Sequence, residues 1–301
     1  MRNGATVIES LIPAAIRPQL KPLRLMARRA ASDGIGQHVS RNRGDGLEFA
    51  QYRAYEPGDE PRRIDWKLFA RSDRYFVRES ERDSALTVWL MIDASASMNQ
   101  ADEAMPEFSK LDAAKIFAAS IIELALRQSD RFGLITIANG RVDLVPAAAG
   151  TRQRDRCEIV LRQLKAGGGW PDETALRPVW ERIAADHMTV LLSDDFDDLA
   201  VRLIERLAAA RREVLSVQLL SGDEREFRFR GNRRFVDPES GSELRSDGAA
   251  ARESYLRDFA EARESLARRF AASGVRHVEA MIDRPLILPL QTLFGRRENL
   301  A

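Results

Sequence analysis

The residues best suited to chemistry in this 301-residue chain are oxygen-bearing side chains that directly follow an apolar segment. Residues 86–92 are mostly apolar, and Asp93, Ser95 and Ser97 come next at alternate positions. In an extended chain every second side chain points the same way, so these three side chains can converge on one point. Carboxylate and hydroxyl oxygens are the ligands that Mg²⁺ and Mn²⁺ prefer. The spacing therefore predicts a site for Mg²⁺ (or Mn²⁺).

A second apolar segment, residues 188–192, is followed by Ser193 and Asp194. In open α/β sheets, ligands bind at the carboxyl ends of the strands. If both segments are neighbouring parallel strands, Asp93 and Asp194 lie close together. The sequence therefore predicts that one ion lies between them.

A metal-dependent hydrolase is the rival interpretation, since a bound cation can activate water and Ser95 or Ser97 could act as nucleophile. No His or Lys is expected near these loops as a general base, because His187 precedes its strand and belongs at the opposite end. The glycines at 167–169 lack the lysine that follows the glycines of a phosphate-binding loop. We therefore predict no catalytic residues and a non-enzymatic protein. A structural domain with a vestigial site is a third possibility.

Predicted strands and helices alternate along the chain and must position these residues. This alternation predicts an α/β fold with a doubly wound, mostly parallel sheet. Segment 46–81 is predicted to form two strands joined by an irregular loop, and segment 221–249 a loop with a short hairpin near residue 234. Strands are predicted at 86–92, 132–137, 188–192, 214–219 and 275–279, and helices at about 109–129, 152–165, 174–185, 199–211 and 250–273.

Composition limits the partners. The 47 basic and 46 acidic side chains nearly cancel, which argues against nucleic acid. Residues 41–82 hold ten basic and nine acidic side chains, a net of +1 (10 − 9), which favours a network of Arg-carboxylate pairs that includes Arg62, Arg63 and Asp65 around Trp66. We expect Trp66 to be largely buried, so that its truncation to alanine lowers the free energy of unfolding by about 3–5 kcal/mol.

One cysteine and the lack of a long apolar run predict a cytoplasmic protein with no integral membrane segment.

The pattern Asp93-Ala-Ser95-Ala-Ser97 resembles the metal-ion-dependent adhesion site (MIDAS) of von Willebrand factor A domains. That resemblance implies two further metal ligands, Thr174 and Asp194, with Asp195 as a substitute for Asp194. Residues 170–173 lengthen the loop before Thr174 relative to the usual family pattern. Two alternatives stay open: Thr174 is only a helix N-cap, and residues 194–198 are only an acidic helix start.

Residues 43–79 are similar to the signature of the bacterial domain of unknown function 58 family. This resemblance implies a von Willebrand factor A-like domain working with a MoxR-type AAA+ ATPase in the assembly or maturation of a protein complex. It divides the chain into a basic N-terminal arm (1–42), a family-specific segment (43–83), the von Willebrand factor A-like domain (84–285) and a C-terminal tail (286–301). The expected function is that of a metal-dependent protein-binding adaptor.

Overall fold

A computed structural model of the protein describes residues 10–27, 49–56, 59, 61, 64–80 and 85–295. The chain divides into two compact units, residues 1–29 with 86–301, and residues 30–85. Numbered along the chain, the strands are β1 (Phe49–Ala54), β2 (Phe76–Ser80), β3 (Thr87–Asp93), β4 (Ala101–Asp102), β5 (Met105–Ser109), β6 (Arg131–Ala138), β7 (Arg141–Ala148), β8 (Met188–Ser193), β9 (Glu213–Leu220), β10 (Asn232–Val236), β11 (Glu243–Asp247) and β12 (Arg276–Met281).

The α-helices are α1 (Trp66–Ser72), α2 (Lys110–Arg127), α3 (Thr151–Gln163), α4 (Glu173–Arg182), α5 (Asp198–Ala209), α6 (Gly222–Glu226), α7 (Gly248–Ser273) and α8 (Ile287–Phe294). Of the described helices, none is both long and apolar enough to cross a bilayer.

The core of the larger unit is a six-stranded sheet in the order β12-β9-β8-β3-β6-β7. All pairs are parallel except β6 with β7. Counted along this sheet alone, the order is 6-5-4-1-2-3, a doubly wound arrangement whose strand order reverses beside β3. The prediction of a doubly wound, mostly parallel α/β sheet is confirmed. The crevice for a ligand is expected where β3 and β8 end.

Strand β3 is central and buried on both faces, because β6 and β8 flank it and helices cover the sheet. Val88, Leu90 and Ile92 pack into the core cluster that includes α2. Trp89 and Met91 pack into the cluster on the other face. This two-sided burial accounts for the nearly continuous apolar sequence of the strand.

Strand β7 was missed by the sequence analysis. It pairs antiparallel with β6 at the edge of the sheet, and its burial is only partial. It contains Pro146, which removes a backbone donor and weakens the strand pattern. An edge strand tolerates proline because one side of its ladder is unpaired. By contrast, the hairpin predicted near residue 234 is confirmed as β10 and β11.

The two ends of the larger unit contribute to its core. Apolar side chains from residues 10–27, assigned to the basic arm by the sequence analysis, are buried in the same cluster as α2; they are Ile12, Ile16, Leu20, Leu23 and Leu25. Helix α8, assigned to the C-terminal tail, buries Leu290 and Phe294 there. The compact unit therefore extends beyond residues 84–285 at both ends, because both segments supply core side chains.

In the smaller unit the two predicted strands are present as β1 and β2, which pair antiparallel, but the connection predicted as an irregular loop contains helix α1. Asp65 caps α1 by accepting hydrogen bonds from two backbone amides. The prediction that Trp66 is largely buried is wrong, since 58% of it is exposed. Trp66 is the first residue of a seven-residue helix, where its ring packs edge-to-face with the rings of Phe69 and Tyr75. The predicted partners Arg62 and Arg63 lie outside the described residues.

Candidate metal centre

The structure brings Asp93, Ser95, Ser97 and Asp194 to the carboxyl edge of the sheet. Asp93 is the last residue of β3, and Asp194 directly follows β8, the neighbouring parallel strand. Both carboxylates are buried. The Oγ atoms of Ser95 and Ser97 lie 3.1 Å apart, at the start of a short 3-10 turn. The predicted convergence of the aspartates and serines therefore follows from the parallel pairing of β3 with β8.

Asp93 is fixed by three hydrogen bonds. Its Oδ1 accepts one from the amide of Ser95 (2.8 Å), whereas its Oδ2 accepts from Ser193 Oγ (2.6 Å) and Trp170 Nε1 (2.9 Å). Burial and then the charge of Asp194 raise the pKa of Asp93, and the three hydrogen bonds partly offset this. A carboxylate oxygen accepts about two bonds, so Oδ1 retains one acceptor position to which no described residue donates.

Lys110 was missed by the sequence analysis, which expected no lysine near these loops. Its fully buried Nζ donates to Asp194 Oδ2 at 2.7 Å and to Glu224 Oε1 at 2.8 Å. Burial lowers the pKa of Lys110, but the charges of Asp194 and Glu224 outweigh it, so the net shift is upward. Lys110 is therefore held as a cation. Its position at the start of α2, 84 residues before Asp194, carries no local signal of this contact.

Asp195 adopts a left-handed conformation (φ 58°) and is buried. Its Oδ2 accepts a 2.8 Å hydrogen bond from Ser216 of β9. Burial, with smaller contributions from the charges of Asp194 and Asp93, raises the pKa of Asp195 to about 8 against the opposing effect of the Ser216 hydrogen bond. Asp195 thus links the loop to β9, whereas Asp194 stays the predicted metal ligand of this loop.

Thr174 lies on the exposed surface near the start of α4 and lines a groove between α4 and α5. The structure does not bring it into the hydrogen-bonded cluster around Asp93. Nor is it the N-cap, because Asp172 caps α4 by accepting from the amide of Ala175. Trp170, four residues earlier, is the residue of this loop that reaches Asp93. Asp197 is the N-cap of α5 and Asp198 is its first residue. Of the acidic residues in 194–198, these two therefore form the helix start.

The glycine-rich loop lets two backbones approach closely at the centre. Ala96 N donates to Gly168 O, and Gly167 N donates to Ala94 O. Gly168 has φ +61°, and a Cβ there would lie 2.6 Å from Asn139 Cα, so a side chain does not fit. These glycines, which the sequence analysis compared with a phosphate-binding loop, align the Ser95 loop.

The donor set suits a hard divalent cation. The buried carboxylates of Asp93, Asp194 and Glu224 and the ammonium of Lys110, which pairs with the last two, have a formal net charge of −2 (1 − 3) when Asp195 is counted as protonated. Two cis ligands of Mg²⁺, each about 2.0–2.1 Å from the ion, lie about 3 Å apart, which matches the 3.1 Å between the serine hydroxyls. Among the described residues, no three His, Cys, Asp or Glu side chains form a metal-binding group.

The chain matches one protein family along most of its length. The sequence model described as Protein of unknown function DUF58 matches residues 51–265. Uncharacterized protein Rv1480 of Mycobacterium tuberculosis is 30% identical over 288 residues, which cover 93% of this chain and 89% of the relative.

Among solved structures, the chain is similar to an aerotolerance-related membrane protein from Bacteroides fragilis. That similarity has 14% identity and a TM-score of 0.44, and covers 69% of this chain and 96% of the other. It is also similar to the SpRpn10 VWA domain, with 14% identity and a TM-score of 0.39, covering 68% of this chain and 93% of the other.

Proposed function

This chain belongs to the DUF58 family, and from that membership and the geometry around Asp93 we propose that it is a non-enzymatic adaptor that binds a protein partner through a divalent cation, Mg²⁺ or Mn²⁺. The observation that supports this most strongly is the buried cluster at the ends of β3 and β8. It combines a formal net charge of −2 with two serine hydroxyls that hydrogen-bond to each other at 3.1 Å, a separation that two neighbouring ligands of one Mg²⁺ also have.

Some of these residues would bind the ion directly, and others orient the residues that bind it. Ser95 and Ser97 supply hydroxyl oxygens, and Asp93 Oδ1 and Asp194 Oδ1 supply the acceptor positions that their hydrogen bonds leave available. Trp170 and Ser193 orient Asp93, and Lys110 orients Asp194. When bound, the cation offers a Lewis-acidic position to a carboxylate oxygen of the partner. Thr174 stays a predicted ligand, and to join them it has to leave the surface position at the start of α4.

The hydrolase alternative needs a general base. Lys110 is a poor base because its neighbours keep it protonated. His187 Nδ1 accepts hydrogen bonds from Trp89 Nε1 and from the amide of Ala184, and His187 precedes β8, at the end of the sheet opposite Asp194. Since neither Lys110 nor His187 is suited to act as the general base, a binding role fits these side chains better than hydrolysis does.

Phe196 is a candidate contact residue for the partner. It is 52% exposed two residues after Asp194, and its ring lies 5.1 Å from the Lys110 ammonium. Aromatic side chains, including Phe, are enriched at the cores of protein interfaces relative to the rest of the surface. The partner class to test first is a MoxR-type AAA+ ATPase, which the family resemblance implies.

The test is surface plasmon resonance between this protein and a purified MoxR-type ATPase from the same organism, with Mg²⁺ and with EDTA. We expect binding in Mg²⁺, loss of binding in EDTA and in Asp93→Asn, and unchanged binding in Ser254→Ala, a control on the exposed face of α7. Binding that ignores both EDTA and Asp93→Asn would overturn the metal dependence. A failure to bind this ATPase, with metal-dependent capture of another protein, would replace only the partner class.

A further inference from the structure

Strand β12 forms one edge of the six-stranded sheet, and among the described residues no strand pairs with its outer side. An edge strand presents a row of unpaired backbone N–H and C=O groups, which proteins usually protect with proline, charge or a covering segment. Strand β7, at the other edge, contains Pro146, whereas β12 (Arg276–Met281) contains no proline. The outer side of β12 therefore lacks the protection that β7 has.

The hydrogen bonds to β9 show which backbone groups of β12 face outwards. Ile282 N donates to Leu220 O at 3.0 Å, and successive residues of a strand direct their backbone groups to opposite sides. The backbone groups of Val278 therefore face β9 too. Those of His277 and Glu279 face outwards. In the described part of the chain, no group hydrogen-bonds to these outward amides and carbonyls.

A groove of about 400 Å³ lies beside this edge, lined by residues of α6, α7, β12 and α8. Val278 and Glu279 contribute from β12, and Leu288 of α8 contributes an apolar side chain that is 52% exposed. When an extended peptide adds to a sheet edge, backbone hydrogen bonds give affinity and neighbouring pockets receive its side chains. The groove and the open edge together provide both.

Arginine dominates the charge of the groove. Arg225, Arg263 and Arg284 line it with one acid, Glu279, a net of +2 (3 − 1). Arg263 Nε donates to Glu279 Oε1 at 2.7 Å, so these two charges cancel. Arg284 is exposed and forms no ion pair with any described residue. Arg225 pairs with Glu226, but Glu226 also pairs with a second arginine, so the groove stays positive.

The occupant that fits this groove is an extended, acidic segment. A helix satisfies its backbone groups internally, whereas an extended chain can pair with the outward groups of β12. Acidic side chains match the charge of the arginines. Asp283 does not line the groove; its carboxylate lies against Gly222, where an added Cβ would be 2.8 Å from Oδ2.

We propose that the outer edge of β12 is a second docking surface, at which an extended acidic segment of a partner protein adds a strand to the sheet. The backbone groups of His277 and Glu279 pair with the segment. Arg284 binds one of its carboxylates, and Leu288 contacts one of its apolar side chains. This surface uses none of the residues around Asp93, so it does not depend on the metal.

The probe is a fluorescein-labelled peptide of about six residues, a common strand length, in which Glu and Val alternate. Its binding to the full chain is measured by fluorescence anisotropy in EDTA. One control peptide has Lys in place of Glu. Two others carry the Glu–Val sequence with N-methyl groups on every Glu or on every Val, which removes the amide donors of one side of the strand and keeps the charge.

We expect saturable binding of the Glu–Val peptide, no binding of the Lys–Val peptide, and loss of binding in one of the two N-methylated peptides only. Arg284→Glu should weaken binding about three-fold or more. Arg152→Glu, at an exposed position of α3 outside the groove, should bind as the wild type does. In hydrogen-exchange measurements, the bound peptide should protect the amides of His277 and Glu279.

Failure of the Glu–Val peptide to bind, equal binding of the Lys–Val peptide, or unchanged exchange at His277 and Glu279 would overturn the proposal. Protection of these amides that grows with protein concentration, without peptide, would identify a second copy of this chain as the occupant and would also overturn it. Because every measurement is made in EDTA, such a result leaves the proposed metal-dependent function standing.

Discussion

Trp170 Nε1 donates a 2.9 Å hydrogen bond to Asp93 Oδ2, across 77 residues of sequence. Trp170 is 9% exposed and packs in the cluster on one face of the sheet. This bond, with that from Ser193, saturates Oδ2 and leaves Oδ1 as the oxygen of Asp93 available to a cation. The indole therefore determines which oxygen of the carboxylate is free.

Trp170→Phe should lower stability because it leaves the buried Asp93 carboxylate one donor short. A hydrogen bond to a charged group is worth about 1.5–3 kcal/mol, and we expect a loss of that size in urea unfolding at neutral pH. Trp66→Phe, at an exposed position in the smaller unit, controls for the loss of an indole. Equal stability of Trp170→Phe and wild type would show that the hydrogen bond contributes nothing.

Lys110→Met should destabilise the protein by about 3–5 kcal/mol without metal, because Asp194 and Glu224 lose their buried cation. The same change makes the centre more negative, so Mg²⁺ should raise the melting temperature of this variant more than that of the wild type. Adding Glu224→Gln should recover part of the lost stability. Thermal unfolding with EDTA and with Mg²⁺ measures all three effects. A Mg²⁺ increment no larger than that of the wild type would contradict this prediction.

Stability without metal should fall as the pH rises from about 4 to about 8. The folded state holds the proton of Asp195 up to a pKa of about 8, whereas the unfolded chain releases it near 3.9. The stabilisation from this group is complete below about pH 4 and is lost as the pH rises through the folded pKa. The slope from one such group is about 1.4 kcal/mol per pH unit.

Asp195→Asn should flatten this pH dependence while keeping an acceptor for Ser216. Urea unfolding in EDTA at several pH values from 4 to 9 measures it, with Asp186→Asn as an exposed control. A variant with the same pH profile as the wild type would exclude Asp195 as its source.

Features that follow from a repeated pattern in the sequence could be predicted. Apolar strands alternating with helices predicted the sheet, and a residue type at the end of each of two strands predicted the meeting of Asp93 with Asp194. Lys110 and Trp170 could not be predicted, because each reaches the centre from a distant element through the tertiary fold. The prediction that Trp66 is buried was wrong for a related reason. Its apolar neighbours in sequence lie on a short helix that does not enclose the Trp66 ring.

The most direct test of the central claim is calorimetric titration of the full chain with Mg²⁺ and Mn²⁺. Asp93→Asn is the test variant, because its amide keeps one acceptor oxygen, whereas alanine would leave the donors of Ser95, Trp170 and Ser193 with none. Ser254→Ala is the control. We predict one ion per chain, with millimolar affinity or tighter, in the wild type and the control, and loss of this binding in Asp93→Asn. A wild-type chain that binds neither ion, or an Asp93→Asn variant that binds as the wild type does, would contradict the account.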